Sequence, residues 1–259
     1  MRHLMNTEEA APIFGDWEET IIWSCLQGVM GDVYVMNQDG KPVSAAAWLG
    51  DFCLLGGRAD GQLIQDIYEE MAGRGQTYLI MVPQDDSWAE QIEHVLGDHA
   101  KGYNRYAIKK ERDVFDRKKL EQAVGALNKE FTLKWIDREL YNACMKESWS
   151  KDLTAQYDTY EKFAKLGLGV AALYNGEMVA GASSYSSYNG GIEIEIDTKK
   201  EYRRRGLAYA CGAKLILECL DRGIYPSWDA QNRESVALAE KLGYHFDYEY
   251  LVYEVRGHA

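Results

Sequence analysis

Acidic side chains alternate with isoleucines at the start of one stretch of the chain, Ile192–Ala208. Glu193, Glu195 and Asp197 recur at every second position, which places the three carboxylates on one face of a strand. A buried face would not tolerate three unpaired carboxylates, so we expect this face to line a polar cleft. A carboxylate in such a cleft can accept a substrate's proton and attract a cationic substrate. The alternative is a sheet face that is simply solvated.

The second part of the same stretch is cationic. Three consecutive arginines, Arg203–Arg205, stand directly before Gly206, and Ala, Leu and Ile then recur at helical spacing as far as Arg222. The N-terminus of a helix carries partial positive charge and free N–H groups, so cations at this place predict a bound anion such as phosphate. The small residues Gly206 and Ala208 allow backbone to approach a ligand closely. The alternative is a solvated basic helix end.

The elements needed to position these groups are predicted in the second half of the chain. Asn175-Gly176 forms the turn of a hairpin, and Gly223 ends the helix that follows the arginines. The predicted order is strand Phe131–Ile136, helices from Arg138 to about Lys146 and Ala155–Lys165, hairpin strands Leu168–Tyr174 and Met178–Tyr185, strand Ile192–Asp197, helix Gly206–Arg222, strand Tyr225–Ala230, helix Ser235–Leu242, and one or two closing strands in Phe246–Val255.

The first half of the chain follows the same order of elements, with a helix from Trp17 capped by Asp16, but little residue identity. The segment Arg203–Ala208 has the pattern R-x-x-G-x-A, and the first half has no such pattern where its third strand ends at Gly56-Gly57. We therefore predict an α/β (α+β) fold with two domains. Residues 1–112 form an N-terminal α/β domain, interpreted as a degenerate copy, and residues 113–259 form the second domain, which contains the acidic strand and the cationic helix start. The charged run Lys109–Lys119 is interpreted as a solvated connection between them.

Composition narrows the functional classes. The 259 residues are 46% hydrophobic and 27% charged, typical of a globular protein, and the formal net charge of −12 argues against a nonspecific nucleic-acid binder. The five cysteines form no C-x-x-C pair and the histidines show no metal-ligand spacing, so we predict reduced thiols and no metal. No apolar run is long enough to span a membrane and no signal peptide is evident. The default expectation is a cytoplasmic protein, a monomer or a homodimer.

Two motifs carry a family resemblance. The run Y-R-R-R-G-L-A resembles the acetyl-CoA signature [Q/R]-x-x-G-x-[G/A] of the GNAT N-acetyltransferase superfamily, with Arg203, Gly206 and Ala208 at the defined positions. The later run W-D-A-Q-N-R-E-S-V-A-L-A-E-K-L-G-Y resembles the second GNAT motif. The resemblance implies the GNAT fold, a mixed twisted sheet flanked by helices, with acetyl-CoA as cosubstrate.

The resemblance also implies where acetyl-CoA would bind. The backbone at the cationic helix start would hold the pyrophosphate, the edge of the preceding strand would pair with pantetheine, and two polar residues of the second motif would orient the cofactor. These positions are Arg203, Arg204, Arg205, Gly206, Leu207 and Ala208, then Ile196, Asp197 and Thr198, and finally Asn232 and Ser235. Asn232 has an alternative role as a helix N-cap. Because Pro226 cannot donate to a ladder, its strand is expected to diverge and leave a cleft for the thioester arm.

Acetyl transfer to an amine requires a base, an oxyanion site and an acid. We favour Glu195 as the base, then Glu193, with Asp229 as an alternative carboxylate beside Trp228. A backbone N–H near Ile196 would meet the oxyanion.

The identity of the general acid stays open, because Ala239 stands where many GNAT enzymes have a tyrosine. Tyr185, Tyr188 or a water are the candidates, whereas Tyr244 and Trp228 are expected to pack in the core.

A narrower resemblance concerns E-I-E-I-D-T, P-S-W-D and L-A-E-K-L-G-Y, together with G-D-F at Gly50–Phe52. This combination is similar to the zwittermicin A resistance acetyltransferase family. It implies transfer of an acetyl group to a primary amine of a small molecule, an amino-containing antibiotic being one such acceptor. The alternative from another class is a non-catalytic acyl-CoA-binding regulatory or interaction protein.

Overall fold

The computed structural model describes residues 1–257, so His258 and Ala259, at the end of the predicted second domain, lie outside the described residues. The chain forms two compact units. The first contains Met1–Arg105 and the residues from Glu249 onward, and the second contains Tyr106–Tyr248. The domains predicted from the sequence, 1–112 and 113–259, remain a prediction.

The strands of the two units are β1 Arg2–His3, β2 Asp32–Gln38, β3 Lys41–Leu49, β4 Phe52–Gly57, β5 Tyr78–Pro83, β6 Ala100–Ile108, β7 Phe131–Trp135, β8 Gly169–Tyr174, β9 Glu177–Tyr188, β10 Gly191–Thr198, β11 Tyr225–Ser227, β12 Asp229–Ala230 and β13 Phe246–Arg256. The helices are α1 Ala11–Phe14, α2 Thr20–Leu26, α3 Gly61–Gly73, α4 Asp86–Leu96, α5 Arg117–Gly125, α6 Arg138–Cys144, α7 Tyr160–Leu166, α8 Leu207–Arg222 and α9 Arg233–Leu242. No helix in residues 1–257 is long and apolar enough to cross a membrane.

The first unit is built on a mixed sheet in the order β1-β2-β3-β4-β5-β13. Strands β4 and β5 are parallel and are connected by α3, whereas the other pairs are antiparallel. Asp60 caps α3 by accepting from Gln62 N and Leu63 N at 2.9 and 3.1 Å. Apolar side chains of α3 and α4 pack on the sheet to form the core of this unit. The final strand of the chain, β13, thus completes the first unit.

The second unit is built on a five-stranded sheet in the order β11-β10-β9-β8-β7. Strands β10 and β11 are parallel and are connected by α8, and the other pairs are antiparallel. The buried face of α8 packs against Ile192, Ile194 and Val170 in the core. Gly223, at φ 68°, ends the helix in the left-handed conformation as predicted.

The two halves of the chain repeat one order of elements. A hairpin, a third antiparallel strand, a helix, a parallel strand and a second helix recur as β2-β3-β4-α3-β5-α4 and as β8-β9-β10-α8-β11-α9. Each series then ends in a long strand, β6 or β13.

Strands β10 and β11 separate after a short pairing. They are paired only from Gly191 with Tyr225 to Glu193 with Ser227. The chain then leaves the sheet at Trp228, and β12 pairs with β6 residues Tyr106 and Ala107. The expected divergence is confirmed, and the predicted single strand Tyr225–Ala230 is wrong because its two ends pair with different neighbours.

Two other local predictions are wrong. The helix predicted for Ala155–Lys165 is a 3₁₀ turn, Ala155–Tyr157, followed by α7, because Asp158 between them has φ 58° and cannot continue a helix. The first-half helix predicted from Trp17 begins at Thr20, with Glu19 rather than Asp16 at its N-cap.

The charged run Lys109–Lys119 is not simply solvated. Glu111 N–H donates to the hydroxyl of Tyr225 at 3.0 Å, and that hydroxyl donates to Lys109 O at 3.2 Å. Phe115 lies edge-on to Tyr244, with ring centroids 4.9 Å apart. Part of this run therefore packs within the second unit.

Candidate active site

Strand β10 has two unlike faces, as its sequence predicts. The isoleucine face packs in the core with α8. The other face, here called the acidic face, carries Glu193, Glu195 and Asp197. Their partners in the neighbouring strand β9 are Ser186, Ser183 and Gly181, respectively. The three carboxylates thus lie in one line that begins where β11 separates from β10.

A short turn covers part of the acidic face. Ser183 donates its hydroxyl to Leu153 O at 2.5 Å, in the 3₁₀ turn Lys151–Leu153, here called the covering turn. A Cβ at Gly181 would lie 2.7 Å from Leu153 Cδ1, so the turn packs closely over this position. Glu193 is 8% exposed and Asp197 is half-buried. The acidic face is therefore partly enclosed rather than freely solvated.

Enclosure changes the acidity of one carboxyl. Burial, and then the nearby Asp152 of the covering turn, raise the pKa of Asp197 to about 7, whereas Arg203 opposes the shift. A carboxyl with this pKa can exchange a proton near neutral pH.

Glu195 contacts the backbone group expected to meet an oxyanion. Its Oε1 accepts a hydrogen bond from Ile196 N–H at 3.1 Å. Ile196 lies beyond the point where β10 and β11 separate. The predicted base and the predicted oxyanion donor are therefore bonded to each other in this state.

A bulge in β9 lies beside the acidic face. The β9–β10 register shifts between Glu193, which pairs with Ser186, and Ile194, which pairs with Ser184, so the bulge lies at Tyr185. Bulges are frequent next to active sites, where they redirect side chains.

Tyr188 and Tyr244 occupy unlike surroundings. A Cβ at Gly191 would overlap the hydroxyl of Tyr188, so only glycine fits beneath that ring. Burial, and then the charge of Glu193, raise the pKa of Tyr188. Tyr244 donates to Pro226 O at 2.6 Å and packs edge-on against Trp228. The expected core roles of Tyr244 and Trp228 are confirmed.

The start of α8 offers free backbone donors. Gly206, with φ 78°, is the N-cap of α8, no side chain caps the first turn, and that turn contains no acidic residue. Arg204 also has a positive φ of 62°, and left-handed residues are a component of anion-binding backbone nests. Arg203 donates from Nε to Thr198 O at 3.3 Å, and Arg205 lies over the ring of Tyr202. The segment Arg203–Gly206, the cationic turn, is exposed.

The remaining predicted residues are distributed around α9 and β12. Asn232 caps α9 by accepting from Ser235 N at 2.9 Å, so its capping role is confirmed and a role in cofactor binding stays a prediction. Asp229 lies on β12 opposite Ala107, and Ala239 is buried in the core.

Sequence reasoning missed three polar residues near the acidic face, Asp152, Ser186 and Ser227. The run S-S-Y-S-S-Y at 183–188 was a visible signal, because serines are unusual in a central strand. Nothing in the sequence placed Asp152 near Asp197. Within residues 1–257, no group of three or more His, Cys, Asp or Glu is arranged to hold a metal ion.

Comparison with known proteins identifies the family. Residues 11–253 match the model of the GNAT acetyltransferase family. The chain belongs to this family. The mixed α/β fold and the N-acetyltransferase class predicted from the two motifs are thereby confirmed.

Relatives of this GNAT acetyltransferase match it over most of their length. It is 29% identical over 243 residues to the uncharacterized N-acetyltransferase YdfB of Bacillus subtilis strain 168, covering 90% of this chain and 89% of that protein. A GCN5-related N-acetyltransferase-like protein from Streptococcus suis 89/1591 superposes with a TM-score of 0.89 at 47% identity, covering 97% of this chain and 98% of the other.

A tandem GNAT protein from the clavulanic acid biosynthesis pathway shares the fold. It superposes with a TM-score of 0.52 at 13% identity, covering 88% of this chain and 83% of the other.

Proposed function

We propose that this GNAT acetyltransferase moves the acetyl group of acetyl-CoA to a primary amine of a small molecule. The observation that carries the proposal is the layout of one continuous segment. Strand β10 presents the acidic face where β11 separates, and it leads directly into the cationic turn with its uncapped helix start. This layout supports base chemistry at one end of the gap and anion binding at the other.

Acetyl-CoA fits this layout. Its pyrophosphate would bind the N–H groups of Arg204–Ala208, and Arg203 and Arg205 would add positive charge. Its pantetheine arm would follow the edge of β10 along Ile196–Thr198, which the departure of β11 leaves accessible. A Cβ at Gly206 would meet no atom within 4 Å, so there is open space beside this backbone. Asn232 and Ser235 would orient the arm from α9.

The bond between Glu195 and Ile196 suggests an order of events. When the thioester carbonyl takes the Ile196 N–H, the carboxylate of Glu195 is released to accept a proton from the substrate ammonium. The neutral nitrogen then attacks the carbonyl carbon, the Ile196 N–H stabilises the oxyanion, and the C–S bond breaks. Glu193 is the second choice as base and Asp229 the third.

The acceptor is a cationic amine on this proposal, because the acidic face and Asp152 attract positive charge. The narrower resemblance to zwittermicin A resistance acetyltransferases favours an amino-containing antibiotic. We also infer that residues 1–112 are a degenerate GNAT copy preceding the catalytic domain 113–259, supported by the repeated order of elements. A tandem protein of the same fold is consistent with this inference.

The test of cofactor binding uses a matched pair of glycine variants. Gly206 and Gly223 flank α8, both have positive φ, and both have open space at the position that a Cβ would occupy. We expect Gly206→Glu to weaken acetyl-CoA binding by tenfold or more, because its carboxylate repels the pyrophosphate. Gly223→Glu, with a similar backbone cost, should keep wild-type affinity. Calorimetric titration measures both, and equal affinities would exclude the cationic turn as the pyrophosphate site.

The assignment of the base predicts a second result. Glu195→Gln should lower kcat for amine acetylation by about 10²-fold or more, the usual range for a general base, with acetyl-CoA affinity nearly unchanged. Release of free CoA with diaminoalkanes, spermidine and amino sugars measures turnover. If Asp229→Asn loses activity and Glu195→Gln does not, the base lies on β12.

The second candidate function is a non-catalytic acyl-CoA-binding protein, which Ala239 in place of the usual tyrosine favours. Acetyl-CoA binding without CoA release on the whole amine panel would support it and contradict the enzyme proposal.

A further inference from the structure

The parallel strand pairs of the two units begin in the same way, which allows their positions to be compared. In the first unit, β4 and β5 pair from Phe52 with Ile80, and Ile80 N–H donates to the carbonyl of the residue before Phe52. In the second unit, β10 and β11 pair from Gly191 with Tyr225, and Tyr225 N–H donates to the carbonyl of the residue before Gly191. The first paired residues of β4 and β10 are therefore equivalent.

Gly57 of the first unit stands in the position of Ile196 in the second, because each follows the first paired residue of its strand by five positions. Ile196 N–H donates to the carboxylate of its neighbour Glu195. Gly57 N–H instead donates to Oε1 of Gln84 at 2.8 Å, a carbonyl oxygen that comes from beyond β5. An amide C=O thus occupies, in the first unit, the position that corresponds to the one proposed for the thioester carbonyl.

The carboxamide of Gln84 is fixed in this place by further bonds. Its Nε2 donates to Phe14 O at 3.2 Å, and the backbone N–H of Gln84 donates to Leu55 O at 3.0 Å, which extends the contact between β4 and β5. Trp88 Nε1 donates to Gly57 O at 3.0 Å. Both backbone polar groups of Gly57 therefore bond to side chains that follow β5. The part of β4 that corresponds to the proposed pantetheine edge of β10 is occupied by the protein itself.

The helix that follows β4 also differs from its counterpart. Only Arg58, Ala59 and Asp60 lie between β4 and α3, and Arg58 donates to Gln38 Oε1. The carboxylate of Asp60 accepts from two N–H groups of the first turn of α3, at 2.9 and 3.1 Å. The first turn of α8, by contrast, has no side-chain cap and follows three arginines. A carboxylate at a helix N-terminus takes the N–H groups that a phosphate would use and repels a second anion.

We propose that the chain binds a single acyl-CoA molecule, in the second unit, and that Gln84 and Asp60 occupy the corresponding carbonyl and phosphate positions of the first unit. This inference rests on the proposed function, which assigns those positions to acetyl-CoA in the second unit. The first unit is closed by its own side chains, whereas the departure of β11 leaves the second unit open. The comparison also supports Ile196 N–H as the donor to the thioester carbonyl.

Titration of the intact chain with acetyl-CoA tests the number and place of the sites. We expect calorimetry to give one equivalent per chain. In protein labelled with ¹⁵N-glycine, the backbone amide signal of Gly206 should shift until saturation, and that of Gly57 should stay unchanged. Two equivalents, or a saturable shift at Gly57, would overturn the inference and leave amine acetylation by the second unit standing. A chain that binds no acetyl-CoA, or binds it without a shift at Gly206, would overturn the proposed acetyl-CoA site and the inference with it.

A pair of glutamine variants tests the closure of the first unit. Gln84→Ala should lower the melting temperature by about 2–4 °C, because Gly57 N–H and Phe14 O lose their partner, while kcat stays unchanged. The matched control is Gln65→Ala, whose carboxamide bonds Glu69 on the surface of α3, and it should change the melting temperature little. A Gln84→Ala protein with the melting temperature of wild type would show that this carboxamide does not close the first unit, and would overturn the inference.

Discussion

The charge of Asp197 depends on the residues that enclose it. It lies on the acidic face beneath the covering turn, where burial, and then Asp152, raise its pKa to about 7. An ordinary aspartate has a pKa near 3.9 and stays ionised at all physiological pH values. Near neutral pH a bound ammonium group would favour the ionised form of Asp197, so substrate binding and the proton on this carboxyl are coupled.

Asp197 predicts a particular dependence of stability on pH. Its folded pKa lies above its unfolded pKa, so between about pH 4 and 7 the folded state binds more protons, and stability falls as the pH rises. Asp197→Asn removes this loss. At pH 8 we expect the variant to be more stable than wild type by an amount on the order of 2 kcal/mol, allowing for the partial exposure of the carboxyl.

Urea unfolding of both proteins at pH 4 and pH 8 measures the difference. Asp152→Asn should give a smaller change in the same direction, because it removes one of the two causes of the raised pKa. The exposed Glu201 offers a control, since Glu201→Gln should leave the pH dependence unchanged. A wild-type stability that does not fall between pH 4 and 8 would contradict the assignment.

At the scale of single residues, patterns within one strand or one turn could be predicted and contacts between distant segments could not. The alternation in β10 placed the carboxylates on one face, and the arginines with Gly206 marked the helix start. Ser227 and Asp152 reach the acidic face through the register of β11 and through the covering turn. No repeating pattern in the local sequence predicts that either residue lies near the acidic face.

At the scale of elements, the helix–strand order of the second unit was predictable where capping residues and hydrophobic period agree. Helix α8 ends at Gly223 as expected, and α9 begins after Asn232. The prediction failed for Ala155–Lys165, where helical spacing suggested one helix but Asp158 adopts a left-handed conformation. It also failed for β11 and β12, because a strand that changes partners reads the same in sequence as a continuous one.

The departures from regular structure in β9 and β11 lie beside the proposed active site. Tyr225 N–H donates to Gly190 O beside β10 and Pro226 O accepts from Tyr244, so the N–H that Pro226 lacks would face away from β10. The pairing of β11 with β10 ends one residue after Pro226. The bulge at Tyr185 alters β9 at the same level. A regular five-residue ladder between β10 and β11 would have closed the gap in which the thioester arm is proposed to bind.

At the scale of the whole molecule, the chain completes each compact unit with a strand from its other half. Residues Glu249 onward, in β13, pair with β5 in the first unit, as Tyr253 does with Met81. Residues Tyr106 and Ala107, at the end of β6, pair with β12 in the second unit. The final strand of each series, β6 or β13, thus pairs with a strand from the other half of the chain.

This exchange predicts the behaviour of the first half in isolation. A fragment of residues 1–112 lacks β13, so the ladder edge of β5 that accepts Tyr253–Arg256 is left unpaired, and the core loses Tyr253 and Val255. Unpaired apolar edges promote aggregation, and the loss of two buried side chains costs several kcal/mol. We expect this fragment to be aggregated or largely unfolded. The same fragment joined through a flexible linker to residues 246–257 should be monomeric and fold cooperatively.

Size-exclusion chromatography and thermal unfolding followed by circular dichroism compare the two fragments. A linked fragment carrying Val255→Asp provides the control, because it keeps the added length but cannot bury that side chain, and it should behave like residues 1–112 alone. If residues 1–112 alone are monomeric and unfold cooperatively, then β13 is dispensable to the first unit. The strand exchange would then be a feature of the complete chain rather than a requirement for folding.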